Sequence, residues 1–176
     1  EVMVADIINL NATGIDSVAL FATTHPHALG TWSNLSTAAS LDATSLKQAI
    51  IDRKSHKTLK GQPWLDLGPV NVLTGSDLEF TAEILIKSDR EAGVADNDMN
   101  PMPRIARFAT GNPFLTDTTA LTLVPVGEEN PLFILEGNIT DPIREDFDIR
   151  TNKKLMTATA DHTTGWFYPA GVQHNA

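Results

Sequence analysis

Residues 69–86 read PVNVLTGSDLEFTAEILI, and the order of elements in this stretch sets the fold class. Val70 to Leu73 is a compact β-rich run bounded by Gly68-Pro69 and Gly75, which predicts a strand. Ser76-Asp77-Leu78-Glu79 has the spacing of a capping box, in which Ser76 and Glu79 each satisfy the other's backbone N–H. Leu78, Ala82 and Leu85 then fall at i, i+4 and i+7, so a helix is predicted from Asp77 to Lys87. A strand, a tight turn and a capped helix in direct succession place a helix against a sheet.

The same reading extends in both directions. In EVMVADIINL, residues 1–10, Val2, Ala5 and Ile8 recur at helical spacing, as do Val4 and Ile7. No capping residue precedes them, which suggests the last turns of a helix that starts earlier, with Gly14 as its C-terminal stop. A helix is expected from Leu41 to Thr58, capped by Ser40 or Asp42, with Leu46, Ala49, Ile50 and Arg53 on one face. Residues 88–104 are polar, hold two prolines and read as a long loop. Strands are expected at Ala106–Ala109, Thr119–Val124 and Leu132–Leu135. A long hairpin follows from Ile143 to Asp161, with arms IREDFDI and KLMTATAD around a turn RTNK. Three helices with strands mainly late in the chain predict an α+β fold.

The chain has 176 residues, enough for one domain or two small lobes sharing a core, and no cysteine. Thiolate metal sites and cysteine nucleophiles are thereby excluded. Acidic residues number 22 against 13 basic ones, a net charge of −9. The one basic cluster, Arg53, Lys54, Lys57 and Lys60 with His56 among them, reads as a solvated helix end, where cations favour the helix dipole, and not as a phosphate-binding patch. No apolar run reaches the roughly 18 residues of a membrane span. Three Asn-x-Ser/Thr triplets, at Asn11, Asn34 and Asn138, read as chance in a sequence with no secretory signal.

Candidate chemistry is sparse. No phosphate-binding glycine loop, dinucleotide fingerprint, His-Glu-x-x-His zinc motif or nucleophile elbow occurs. His25-Pro26-His27 would send two rings to one side of an extended backbone, the opening of a metal site, but no partner carboxylates are marked in the sequence. The alternative is a turn stiffened by Pro26, with rings bonded locally. His56, His162 and His174 stand in unrelated contexts. Asp96-x-Asp98-x-Asn100 has the spacing that opens a calcium loop, yet Pro101 and Arg107 occupy the positions that need glycine and glutamate. Turn formation before Pro101 is the better reading. Glu145, Asp146 and Asp148 crowd three carboxylates beside Arg144, which reads as a solvated strand with an ion pair. No catalytic, cofactor-binding or metal-binding residue is assigned, and no enzyme activity is expected.

Five segments in order carry a resemblance: DSVALF followed by His25; LDATSLKQAI; PVNVLTGSDLEFTAEILI; ADNDMNP; and IREDFDIRTNKKLMTATADHTTGW. Together they resemble the major capsid (head) proteins of tailed bacteriophages with the Hong Kong 97-type fold, and are similar to the major head subunits of Mu-like prophages. The order and spacing of the segments carry the likeness, which covers nearly the whole chain.

The resemblance implies a peripheral lobe with a spine helix and a long β-hairpin, and an axial lobe with helices packed on a sheet. Residues 1–35 would hold the end of the spine helix and a connector. Residues 36–135 would form the axial lobe, and residues 136–176 the peripheral hairpin and a C-terminal strand. It implies a structural subunit that assembles with itself as hexamers and pentamers of an icosahedral shell, in a virion assembled in the host cytoplasm. Scaffold, portal or decoration proteins would be its other partners. DNA would be enclosed without sequence-specific binding, and an acidic subunit would not grip it. Much of the family's N-terminal part has no counterpart here. Some relatives join subunits by a Lys–Asn isopeptide bond, but the surroundings of Asn152 do not carry that chemistry over. Two rival readings are an encapsulin-like compartment shell and a small metal-dependent enzyme using His25 and His27.

Overall fold

The computed structural model describes residues 2–37, 39–64, 68–90, 99–108, 111–126, 131–136, 143–148, 153–158 and 162–175. Its centre is a five-stranded sheet in the order β3 (Leu35–Ser36), β11 (Gln173–Asn175), β6 (Leu121–Pro125), β4 (Val70–Thr74) and β5 (Ala106–Phe108). β6 runs antiparallel to both β11 and β4, while the outer strands β3 and β5 run parallel to their neighbours. The parallel step from β4 to β5 is made through α3 (Glu79–Lys87) and the single turn α4 (Met102–Ile105).

Both faces of this sheet are covered. β6 is buried at every position, as a strand between two layers must be. On one face Val70, Val72, Leu121 and Leu123 pack against Leu46, Ala49 and Ile50 of α2 (Ala43–Lys54) and Ala82 and Ile86 of α3. On the other, Val124, Leu115 and Val172 pack against Leu20, Phe21 and α1 (Val2–Leu10), which contributes Ala5, Ile7 and Ile8. Each fully buried leucine contributes about 1.5–3 kcal/mol by leaving water. The molecule is thus a mixed α+β fold with helices and several sheets.

Among the described residues, three two-stranded ladders complete it. β1 (His25–His27) pairs with β2 (Gly30–Trp32) as a small hairpin. β7 (Leu132–Glu136) pairs antiparallel with β10 (His162–Trp166), and between them in sequence β8 (Ile143–Asp148) pairs antiparallel with β9 (Lys153–Ala158). The two ladders are therefore nested, one hairpin inside another. α1 lies against β10, with Trp166 in the same apolar cluster as Ala5 and Ile8. The C-terminal strand, grouped from the sequence with residues 136–176, is hydrogen-bonded inside the sheet between β3 and β6.

Several local expectations need correction. The capping box is absent at Ser76/Glu79: a 3-10 turn, Ser76–Leu78, follows Gly75, and no side chain caps it. Gly75 lies so close to the Thr118 backbone that the chain is pinned there, and the Glu79 side chain turns toward Gly111. The reciprocal cap sits instead on α2, where Asp42 accepts from Ser45 N–H and Ser45 accepts from Asp42 N–H. α2 ends at Lys54, four residues before the predicted end. The stop of α1 is not Gly14 but Asn11, whose φ of 42° is left-handed and whose side chain clamps both backbone groups of Phe21. The calcium-like residues Asp96 and Asp98 lie outside the described residues. Asn100 donates to Leu85 O and Ser88 O and accepts from Met102 N–H, the turn-making role expected of it. The hairpin turn with Asn152 also lies outside them, as do Asn138 and the side chains of Glu145, Asp146 and Asp148.

Gly14 has a different use. A Cβ there would stand 2.1 Å from Cη2 and Cζ2 of Trp166, which is buried and donates its indole N–H to Ala12 O. Gly14→Ala is expected to displace the indole from the α1 cluster and lower the unfolding free energy by about 2 kcal/mol. Urea unfolding of the variant beside the parent chain measures this.

Candidate functional site

The histidines singled out in the sequence part company in the structure. His25 is buried, and His27 is half-buried at the β1–β2 turn, where its Nδ1 accepts from Leu29 N–H. The two rings do not converge on a common point, and no cluster of three or more potential metal-ligating side chains exists among the described residues.

His25 Nδ1 lies 2.8 Å from Asp16 Oδ2, and the other carboxylate oxygen accepts from Val18 N–H. Its Nε2 faces Asn34 Oδ1 at 3.0 Å and Leu20 O at 3.2 Å. The amide of Asn34 has only one possible orientation. Oδ1 accepts from Ala22 N–H, and Nδ2 donates to Leu20 O and Pro169 O. Nε2 of His25 therefore meets acceptors only and carries a hydrogen. An Asp–His pair does proton-transfer work when the far nitrogen is free to reach a substrate. Here that nitrogen is already committed, and the ring is only 1% exposed. The pair ties the 11–34 segment together. It also spends Asn34 completely, so the Asn-x-Ser triplet there is inaccessible.

A second relay starts at His56. Gly171 N–H donates to its Nδ1 at 3.0 Å, so the ring proton sits on Nε2, which donates to Gln173 Oε1 at 2.8 Å. Gln173 Nε2 donates to Ser36 Oγ, and Ser36 donates to Asp52, whose other carboxylate oxygen accepts from Gln48. Every link has one direction only, and the directions fix the tautomer. Burial pushes the His56 pKa down to about 4, with Arg53 and His25 adding to the shift and Gln173 and Asp52 opposing it. Arg53, expected on a solvated helix end, is buried instead: it donates to Gly171 O at 2.7 Å and Gly68 O at 3.1 Å. Burial lowers its pKa to about 10, so it stays charged at neutral pH. Lys54 and Lys60 remain exposed, as expected.

Trp32 joins the two relays, with its ring 4.9 Å from His25 on one side and 4.5 Å from His56 on the other. Tyr168 stacks on Trp64 and donates to Lys57 O. Its phenol pKa is raised by burial, with the Trp32 indole partly offsetting the rise. On the opposite face of β11, His174 accepts or donates at Thr122 Oγ1 and stacks on Phe21 at 4.4 Å. Burial lowers its pKa, and Asp117 opposes the shift. His56 and His174 are thus the residues the sequence reading left unconnected. The only signal that could have joined them is a polar tripeptide, Gln173-His174-Asn175, beside the apolar Ala170 and Val172.

Beside this buried hub lies an open cleft of about 490 Å³, lined among others by Trp32, Ser33, Ser36, Asp52, Ser55 and Gln173. Its size suits a small ligand. Several of its polar groups, however, are already paired within the chain, while Trp32 Nε1 has no hydrogen-bond partner among the described residues. Asp52 holds Ser36 and Gln48, Ser55 donates to Asp52 O, and Ser33 bridges the N–H and C=O of Leu35. That last contact blocks the outer edge of β3, where another strand could add. The arrangement therefore holds segments together.

Two outcomes test this. Asn34→Ala leaves Ala22 N–H, Leu20 O and Pro169 O short of partners and is expected to cost about 3 kcal/mol of stability in urea unfolding. The pH dependence follows from His56, whose folded-state pKa of about 4 lies below its ordinary 6.5. Between those values the unfolded chain binds the extra proton. The contribution is complete above pH 6.5 and is lost as pH falls toward 4, by up to about 1.4 kcal/mol per pH unit. Urea unfolding at pH 7, 6 and 5 should show that decline.

No protein family, curated protein or solved structure matches this chain.

Proposed function

We propose that this chain is the structural part of a major capsid subunit of the Hong Kong 97 type, assembling with itself into the icosahedral shell of a phage head around DNA. The observation that carries the reading is the nested pair of β-ladders, β7–β10 around β8–β9, with α1 lying along β10. This fits a peripheral lobe of spine helix and long hairpin. The sheet with α2 and α3 on one face fits an axial lobe. The division at residues 1–35, 36–135 and 136–176 belongs to the same proposal, with β11 crossing back into the axial sheet.

The interior supports a structural role. The imidazoles of the hub are enclosed and committed to hydrogen bonds that join distant segments. The net charge of −9 suits a wall that does not hold the nucleic acid it encloses. Shells add many modest contacts through symmetry. The 88–104 segment, whose last residues open α4, near a capsomer axis, and the 150–153 segment, near a local three-fold, are the proposed contact elements. Scaffold, portal and decoration proteins are the further partners of this reading. An encapsulin-like compartment would share the fold and enclose enzymes in place of DNA.

Expression from the complete reading frame, followed by electron microscopy, tests the proposal. Closed shells or tubes of hexamers and pentamers are the expected result. A stable, monodisperse monomer would overturn it, and shells filled with a co-purifying enzyme would favour the compartment reading.

A further inference from the structure

We propose that the β11 segment, residues 169–175, is an acid-releasable strand, and that its latch is the contact between Gly171 N–H and the bare Nδ1 of His56. This goes beyond the shell reading and does not depend on it.

The geometry makes the contact all-or-none. Nδ1 of His56 is an acceptor only while it carries no hydrogen, and the group facing it at 3.0 Å is a backbone donor. A proton added there sets donor against donor. The ring cannot turn to escape, because Nε2 is already donating to Gln173 and the ring packs against Trp32. Gly171 cannot easily turn either. Its carbonyl is held by Arg53 Nε, and its φ of 94° is a conformation that suits glycine alone.

The charged surroundings add to this. Arg53 stands on the same glycine, and His25 lies across Trp32. Both oppose a positive charge on His56. Asp52 favours that charge, but reaches the ring only through Ser36 and Gln173. A proton on His56 therefore loosens one turn that two side chains hold from opposite ends.

That turn leads directly into β11. Beyond it, the strand is held by three-residue pairing with β6, two-residue pairing with β3 and the side-chain bonds of Gln173 and Asn175. The five-residue β4–β6 ladder needs none of these contacts. Local opening of the weaker unit ahead of the stronger one is then expected.

Hydrogen exchange of the intact chain, corrected for intrinsic rates, reads this out. Protection of residues 169–175 should fall about tenfold per pH unit below pH 6.5 and remain well below that of residues 70–74, which lose protection only through global unfolding. Equal protection in the two segments at every pH, or loss in neither between pH 7 and pH 5, would overturn the proposal. His56→Asn keeps an acceptor for Gly171 N–H and cannot be protonated, so its acid response should shrink to the part supplied by the buried His174 of the same strand. An unchanged acid response in that variant would also overturn it. Should the variant fail to fold, imidazole ¹⁵N spectra of the parent chain decide. A ring protonated at Nε2 alone at pH 7, titrating together with the Gly171 amide, supports the latch. A proton on Nδ1 at pH 7, or titration without a response at Gly171, refutes it.

Discussion

The fold depends on a polar strand placed where an apolar one would be expected. Gln173, His174 and Asn175 form β11 and are all buried, on both faces of a sheet whose next strand, β6, is apolar apart from Thr122. Burying an unpaired amide or imidazole costs several kcal/mol, so each side chain needs a partner brought to it. Gln173 is met by His56 from beyond the end of α2 and Ser36 from β3, His174 by Thr122 and Phe21, and Asn175 by the backbone of Ala39. The N-terminal loop, the end of α2 and the β3 edge take their positions from these requirements as much as from apolar packing.

Such a network penalises wrong arrangements more than it strengthens the right one. A one-residue slip of β11 would turn Gln173 toward Phe21 and His174 toward His56, leaving the directional relay broken at each link. The apolar clusters alone would tolerate more variation, since leucine and valine pack without regard to hydrogen-bond direction. For the proposed shell subunit that distinction matters. Repeated contacts close a shell only when every copy presents the same surface in the same place.

The elements legible in the sequence are those whose side chains repeat with a clear period. α2 and its face of Leu46, Ala49, Ile50 and Arg53, the strand at Val70, the two arms of the β8–β9 hairpin and the α+β class could all be read from the sequence. Arg53 was placed on the right face, but its burial was not foreseen, because its partners are carbonyls 15 and 118 residues away. The cap at Ser76 failed for a similar reason: close approach of Thr118 and Gly111, far along the chain, set the geometry there. β11 left no pattern at all. A C-terminal strand was expected only from the resemblance; the histidine and serine that complete its three polar residues stand 117 and 137 residues earlier. The His25/His27 pair was the most conspicuous chemical signal and proved to be two separate roles, one of them in a turn.

The position of β11 also bears on how the chain comes off the ribosome. β3 and β6 are neighbours only through β11, and Gln173 reaches Ser36 across 137 residues of chain. Until residue 175 has emerged, the nascent sheet can build its β4–β6 half but cannot close the other, and the buried amides and imidazoles have no partners but water. Contacts this distant in sequence form slowly. During that interval Leu20, Phe21 and one flank of β6 stand open, the kind of surface on which nascent chains stick to one another or are held by chaperones. The chain is therefore exposed during synthesis until the strand that joins β3 to β6 has emerged.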